Sequence, residues 1–375
     1  MNIPFVDLKA QYQSIKEEID EAIKSVIENT AFIKGKYVQQ FEEDYAEAYG
    51  VKHVVSCGNG TDAIYITLKS LGIGQGDEVI TVANTWISTS ETITQTGAKP
   101  VFVDIQPDYY TIDVSKIEEK ITPRTKAIIP VHLFGQPVDM TEVMRIAKKY
   151  SLKVIEDCAQ AHFAEWDNKY VGTIGDAGTF SFFPGKNLGA YGDAGCVVTN
   201  NDSLAEKMRM FANHGALIKH EHYIEGINSR LDGIQAAILS VKLPYILKWS
   251  EKRLEHAKMY NSLLEGIDNI KTPKINPHVN HVFHLYVIRT KKREQLQKYL
   301  KKNGVGTGIH YPTPLPFLKA YKYLGHKPED FPVAFKYKDE ILSLPMFPEL
   351  TKTHISFIID SLRKFSCNHL SVVNI

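Results

Sequence analysis

Between residues 51 and 199, short apolar, β-rich runs recur at 51–57, 78–82, 100–104, 127–132, 153–156, 179–183 and 196–199, and most of the intervals are long enough for a helix. Such alternation leaves few architectures open. It predicts an α/β fold whose central sheet is mainly parallel, buried under helices on both faces. In sheets of this kind ligands sit beyond the carboxyl ends of the strands. The turns that follow the strands are therefore where chemistry is to be sought.

Four of those turns carry suitable residues. Gly58-Asn59-Gly60-Thr61-Asp62 leads from a strand into a helix through Ala63, Ile64, Ile66 and Leu68. The free N–H groups and positive dipole end of such a helix start suit a phosphate, and the same residues suit an ordinary helix cap. Trp86 follows the second run and offers either a flat face for a ring or a core side chain. Asp157 comes directly after the 153–156 run, where a carboxylate suits a protonated ring nitrogen or the N–H groups of a following helix; Gln160 adds an amide for a neighbouring oxygen. The fourth turn runs from Ser181 through Phe182-Phe183-Pro184-Gly185-Lys186-Asn187-Leu188-Gly189 to Gly195. Glycines admit close backbone approach, the serine hydroxyl binds an oxyanion, and a lysine sheltered from water can lose its proton and attack a carbonyl. That set points to an imine-forming lysine.

Around this unit the pattern is helical at 12–30 and 37–49, and again at 203–212 and 230–249. The loop from His214 to Asp232 is too long for a simple turn, so a functional or mobile role is expected. Its His214, His220 and His222 lack the helix spacing of a metal site, and no metal is expected. The organisation predicted is a large domain over 1–249, its N-terminal helix packing on a smaller α+β domain over 250–375, with 366–375 as a flexible tail. The small domain would hold a strand at 284–289, a helix at 292–303 and the loop His310-Tyr311-Pro312-Thr313-Pro314. Gly304-x-Gly306-x-Gly308 opens no helix and is a weak dinucleotide signal.

Charge excludes whole classes of partner. With 44 basic and 43 acidic residues the net charge is +1, and no basic block or aromatic–basic stripe suits a nucleic acid. No run of about 18 apolar residues suits a membrane span, the start does not read as a signal peptide, and the scattered Cys57, Cys158, Cys196 and Cys367 suit reduced thiols. A cytoplasmic protein is expected.

Taken in order, Gly58-Asn59-Gly60-Thr61-Asp62-Ala63, Glu156-Asp157-Cys158-Ala159-Gln160-Ala161-His162, Ser181 to Gly189, and Asn228-Ser229-Arg230-Leu231-Asp232-Gly233-Ile234-Gln235-Ala236-Ala237 resemble the DegT-type sugar-nucleotide aminotransferases. These are enzymes of the aspartate-aminotransferase fold (fold type I) that use pyridoxal phosphate (PLP). The resemblance runs from Ile3-Pro4-Phe5-Val6-Asp7-Leu8 to Leu344-Pro345-Met346. It implies that Lys186 forms the internal Schiff base, Asp157 keeps the pyridine nitrogen protonated, and Gln160 bonds the ring oxygen. Gly60, Thr61 and Ser181 would hold the phosphate, Trp86 would stack on the ring, and Asn228 would reach the phosphate of a neighbouring subunit in a homodimer with shared sites. Arg230, His310 and Tyr311 match positions near the sugar nucleotide.

By the same resemblance, an amino acid, with L-glutamate the expected donor, leaves its nitrogen on the cofactor as pyridoxamine phosphate. A nucleotide-linked keto-sugar then receives it in a ping-pong cycle serving amino-sugar and surface-polysaccharide synthesis. The Lys186 loop resembles enzymes that aminate C-3, which favours dTDP-3-keto-6-deoxyhexose over a C-4 ketone; a UDP-linked 3-keto uronic acid stays open. Lys186 argues against the branch that deoxygenates sugars, which has histidine there. An inactive regulatory or scaffold protein should have lost part of the Lys186, Asp157 and Ser181 set, and an amino-acid aminotransferase would need an arginine clamp, for which Arg230 is available. Two departures from the pattern stand out: Phe163 where glycine is usual after Ala161-His162, and Leu315-Pro316-Phe317 where a histidine is often found.

Overall fold

A computed structural model describes residues 1–370 of the chain. Three helices open it, α1 (Leu8–Ser14), α2 (Lys16–Glu28) and α3 (Lys36–Tyr49), and Gly50 ends the last in the left-handed conformation. Then come β1 (His53–Cys57), α4 (Gly60–Ser70), β2 (Glu78–Val82), α5 (Ser88–Gln95), β3 (Lys99–Val103), β4 (Thr125–Ile129), α6 (Met140–Tyr150) and β5 (Lys153–Asp157). A short flap follows, β6 (Glu165–Trp166) and β7 (Lys169–Tyr170), before β8 (Ala177–Ser181), β9 (Gly195–Thr199), α7 (Asp202–Phe211), α8 (Gly233–Lys242) and α9 (Ile246–Leu264). The remainder is β10 (Val279–Asn280), β11 (Tyr286–Arg289), α10 (Arg293–Lys302), α11 (Pro332–Tyr337), β12 (Ile341–Leu344) and α12 (Lys352–Leu370).

The seven runs of the sequence pattern form one sheet in the order β1-β9-β8-β5-β4-β2-β3. Its pairings from β3 across to β8 are parallel, and only β9 runs antiparallel to its two neighbours. Six strands, β1 included, therefore deliver their carboxyl ends, and the turns after them, to one edge. β2 and β9 are buried at every position, as strands covered on both faces must be.

Two expectations change at the join between lobes. The helix expected over 230–249 is broken at Leu243–Tyr245, where Pro244 lacks the N–H that a continuing helix needs. The boundary expected at 249/250 falls inside α9, whose unbroken helical ladder carries the chain across: Ile246 and Trp249 pack in the main core, Ala257, Tyr260 and Leu264 in a second one. That second core gathers β11, β12, α10 and α12, with β11 and β12 antiparallel. The N-terminal helices do not pack there, because α2 and α3 bury Ile19 and Phe41 in the main core. Ile3 ahead of them does, through Ile3 N–H to Gly304 O (2.8 Å) and Gly306 N–H to Ile3 O (2.8 Å). Gly304 and Gly306 thus edge the small lobe and cradle no phosphate. Ser366 to Leu370, expected in a tail, continue the helical backbone of α12; residues 371–375 lie outside the described residues. Among the described residues no helix is long and apolar enough to cross a membrane.

Candidate active site

A cavity of about 730 Å³ opens at the strand-end edge, between the sheet and the small lobe. Gly60, Thr61, Trp86, Asp157, Gln160, Ser181, Lys186, His310 and Tyr311 all line it. Asn228 and Arg230 do not.

One end of the cavity is an anion cradle. Asn59 caps α4 by accepting from Asp62 N–H (2.8 Å), which leaves the N–H groups of Gly60 and Thr61 in a first turn with no intrahelical acceptor. The helix start sits tight against the ends of β8 and β9: a Cβ on Gly60 would lie 2.6 Å from Ser181 Cβ, and one on Gly195 2.4 Å from Asn59 C. Only glycine allows this approach. It brings the Ser181 hydroxyl beside α4, where Thr61 Oγ1 also meets Ser88 Oγ at 2.7 Å. Ser229, whose position the motif alone did not explain, stiffens the turn by accepting from Gly58 N–H (2.9 Å) and donating to Asp62 Oδ2 (2.6 Å).

The opposite wall is polar and held in place. Asp157, 5% exposed, accepts from Thr89 Oγ1–H (2.8 Å) and Ala159 N–H (3.1 Å). Gln160 accepts from Phe134 N–H through Oε1 (2.7 Å), which turns its amide nitrogen toward Tyr311 Oη (3.0 Å) and the cavity. Trp86 is 59% exposed, so it is not a core side chain; its ring lies 5.8 Å from that of Tyr311. His310 stacks on Phe5 (5.7 Å) and shares a hydrogen bond with Ser343 Oγ (2.8 Å); burial first, then the Lys186 charge, lowers its pKa to about 4.

Lys186 stands between these walls. Burial lowers its ammonium to about 8, against the charge of Asp157, which favours the protonated form. His284, missed from the sequence because it lies far along the chain with no motif around it, lines the cavity and bonds Asn187 Oδ1 through Nδ1 (3.1 Å). Burial, and then Lys186, also keep it neutral.

The two departures from the family pattern fall outside the cavity. Phe163 has φ +59°, the region that glycine favours, and its ring turns into an aromatic cluster with Tyr49 (4.3 Å), Tyr170 (5.3 Å) and Tyr45 (6.0 Å). Phe317 packs on Phe335 (5.1 Å) and Phe331 (6.1 Å). The loop histidines gather no ligand set; His222 Nδ1 bonds the His214 carbonyl oxygen (2.7 Å). Among the described residues, the group of potential metal ligands is instead His132, Glu156 and Cys158. His132 Nδ1 accepts from Val138 N–H (3.0 Å), so its Nε2 holds the proton and donates to Glu156 (3.1 Å), and neither ring nitrogen keeps a free lone pair for an ion.

An amine that gives up its proton near neutral pH, between an anion cradle and a strand-end carboxylate, suits a cofactor with a carbonyl, a phosphate and a basic ring nitrogen. On this sheet the class is that of PLP-dependent transferases of fold type I. A profile of the DegT/DnrJ/EryC1/StrS aminotransferase family matches residues 13–363, and the chain belongs to that family of PLP-dependent sugar-nucleotide aminotransferases. It is 48% identical to the "Pleiotropic regulatory protein" of Geobacillus stearothermophilus, over 97% of this chain and 99% of that one. To the dTDP-3-amino-3,6-dideoxy-alpha-D-galactopyranose transaminase of Aneurinibacillus thermoaerophilus it is 44% identical, over 97% and 99%. Among solved structures, S. venezuelae DesV in complex with a ketimine intermediate matches with a TM-score of 0.95 at 38% identity, over 97% of this chain and 98% of that one.

Proposed function

We propose that this aminotransferase moves the amino group of L-glutamate to C-3 of a dTDP-linked 3-keto-6-deoxyhexose. The observation that carries the reading is the convergence of Lys186, Asp157 and the Gly60–Thr61–Ser181 cradle on one cavity, in a chain 44% identical to a dTDP-3-amino sugar transaminase. Gly60, Thr61 and Ser181 would hold the phosphate, and the exposed Trp86 would offer its face to the ring. Asp157 holds the proton of the ring nitrogen, and Gln160 turns its amide nitrogen to the ring oxygen. Lys186 Nζ would hold the cofactor's carbonyl carbon.

PLP, when bound, supplies an electron sink for the pair left behind when a carbon–hydrogen bond breaks. With the cofactor bound, Lys186 Nζ would be the base that takes the proton from the amino-bearing carbon of glutamate and, in the second half-reaction, the acid that delivers a proton to C-3 of the sugar. Its lowered pKa suits both directions, since a base near the working pH both accepts and releases. His310 and Tyr311 would face the sugar nucleotide from this cavity, and Arg230, which lies outside it, would do so toward the neighbouring subunit's site.

The site is completed in a homodimer. Asn228 and Arg230 lie outside their own cavity, on a loop that exposes Leu217, Ile218, Tyr223 and Ile224. Asn228 of the partner subunit therefore reaches the phosphate, and exposed apolar side chains on the same loop suit burial between subunits. A relative bearing a regulatory name makes a non-catalytic role the second reading. Retention of Lys186, Asp157 and Ser181 around one cavity favours catalysis.

Absorbance of the holoenzyme tests both. The visible cofactor band should bleach with glutamate and return with dTDP-3-keto-6-deoxyglucose. Return only with a 4-keto or UDP-linked sugar would overturn the substrate, and absence of any band after PLP addition would overturn catalysis in favour of the regulatory role.

A further inference from the structure

Lys242, the last residue of α8, is 0% exposed, among the largest side chains wholly buried in the protein. Among the described residues it has no ion pair. Its Nζ donates to Gly189 O at 2.7 Å and stands 4.1 Å from the centre of the Tyr191 ring. Gly189 and Tyr191 belong to the loop that carries Lys186. That loop is a closed turn, tied by Lys186 N–H to Phe183 O (2.8 Å) and Ala190 N–H to Phe182 O (2.7 Å). At Gly189 it is so tight that a Cβ would lie 2.4 Å from Pro184 O. The Gly189 carbonyl receives no backbone N–H, so the Lys242 ammonium is what satisfies it.

A second side chain on the same helix acts on the same loop. Gln235, seven residues or two turns earlier, accepts from Tyr191 N–H at 2.8 Å, and its amide packs against Gly192. Burying an ammonium costs more than burying a methionine of similar length, and burial indeed lowers Lys242 to about 8 against the charge of Glu349. Packing alone therefore does not account for a lysine here.

We propose that Lys242 is a positioning residue for Lys186: by holding the Gly189 carbonyl, it fixes the closed turn from which the Lys186 amine reaches the cofactor. This rests on the role given to Lys186 above. A displaced amine slows proton transfer without weakening donor binding.

The test is Lys242→Met in the holoenzyme, followed by the rate of bleaching with glutamate and by a pH titration of the visible band. The variant should stay folded with KM for glutamate within about twofold, lose about tenfold in bleaching rate, and shift the midpoint of the titration. Wild-type rate and midpoint in a folded variant would overturn the proposal. Should Lys242→Met fail to fold, Gln235→Ala removes the second tie alone; about a threefold loss of rate supports the loop clamp and wild-type behaviour overturns it. If the unmodified enzyme shows no band that depends on Lys186, the failure lies with the proposed function instead.

Discussion

Glu156 and Asp157 are consecutive residues of β5, so their side chains leave opposite faces of the sheet. Both are buried carboxylates, and their surroundings differ in kind. Glu156 is tied to the scaffold on both oxygens: Ile174 N–H (2.8 Å) and Gly175 N–H (2.7 Å) donate to one, and His132 Nε2–H to the other (3.1 Å). Asp157 has two short-range donors and faces the cavity that holds Lys186. A buried charge whose bonds all go to the scaffold, away from any cavity, acts on the fold. One that keeps capacity toward a cavity is available to a ligand.

That contrast should separate activity from stability. The largest effect is expected at the cavity: Lys186→Ala and Asp157→Ala should each lower turnover by about 10³-fold or more, with denaturant midpoints close to wild type. Full activity in either would remove it from the chemistry. Next, Glu156→Ala strands three donors and should cost about 3–5 kcal/mol of stability, read by urea unfolding, with the cofactor spectrum retained in the protein that stays folded. Equal stability of the Glu156 and Asp157 variants would break the comparison.

The buried histidines give a smaller, pH-dependent effect. Burial lowers His162 and His281 to about 3, so each is neutral in the fold and takes up a proton more readily when unfolded. Their contribution is present above the unfolded pKa of about 6.5 and is lost as pH falls from there toward 3, by about 2 kcal/mol each between pH 7 and 5. Urea unfolding at the two pH values checks this, and His162→Phe should shrink the difference between them by about 2 kcal/mol. The smallest effect is Thr89→Val, which takes one donor from Asp157: a loss of about three- to tenfold in turnover, with stability changed by no more than about 1 kcal/mol.

Sequence alone determined the layers and much of the cavity. Alternating apolar runs set the positions and burial of the strands, because strands covered on both faces must be apolar throughout, and turns after parallel strands must then share an edge; their order across the sheet came from the structure. Gly60, Ser181, Asp157 and Lys186 were legible for that reason, each at a strand end or in the turn that follows one. Tertiary structure decided the rest, wherever a contact joins residues far apart in the chain. It showed Trp86 exposed to the cavity and Phe163 turned away from it. It also brought in Phe5, His284 and Met346 and tied Lys242 to Gly189. The break at Pro244 and the lobe crossing inside α9 likewise depended on packing. Periodicity records which face of an element is buried; it does not record what that face meets.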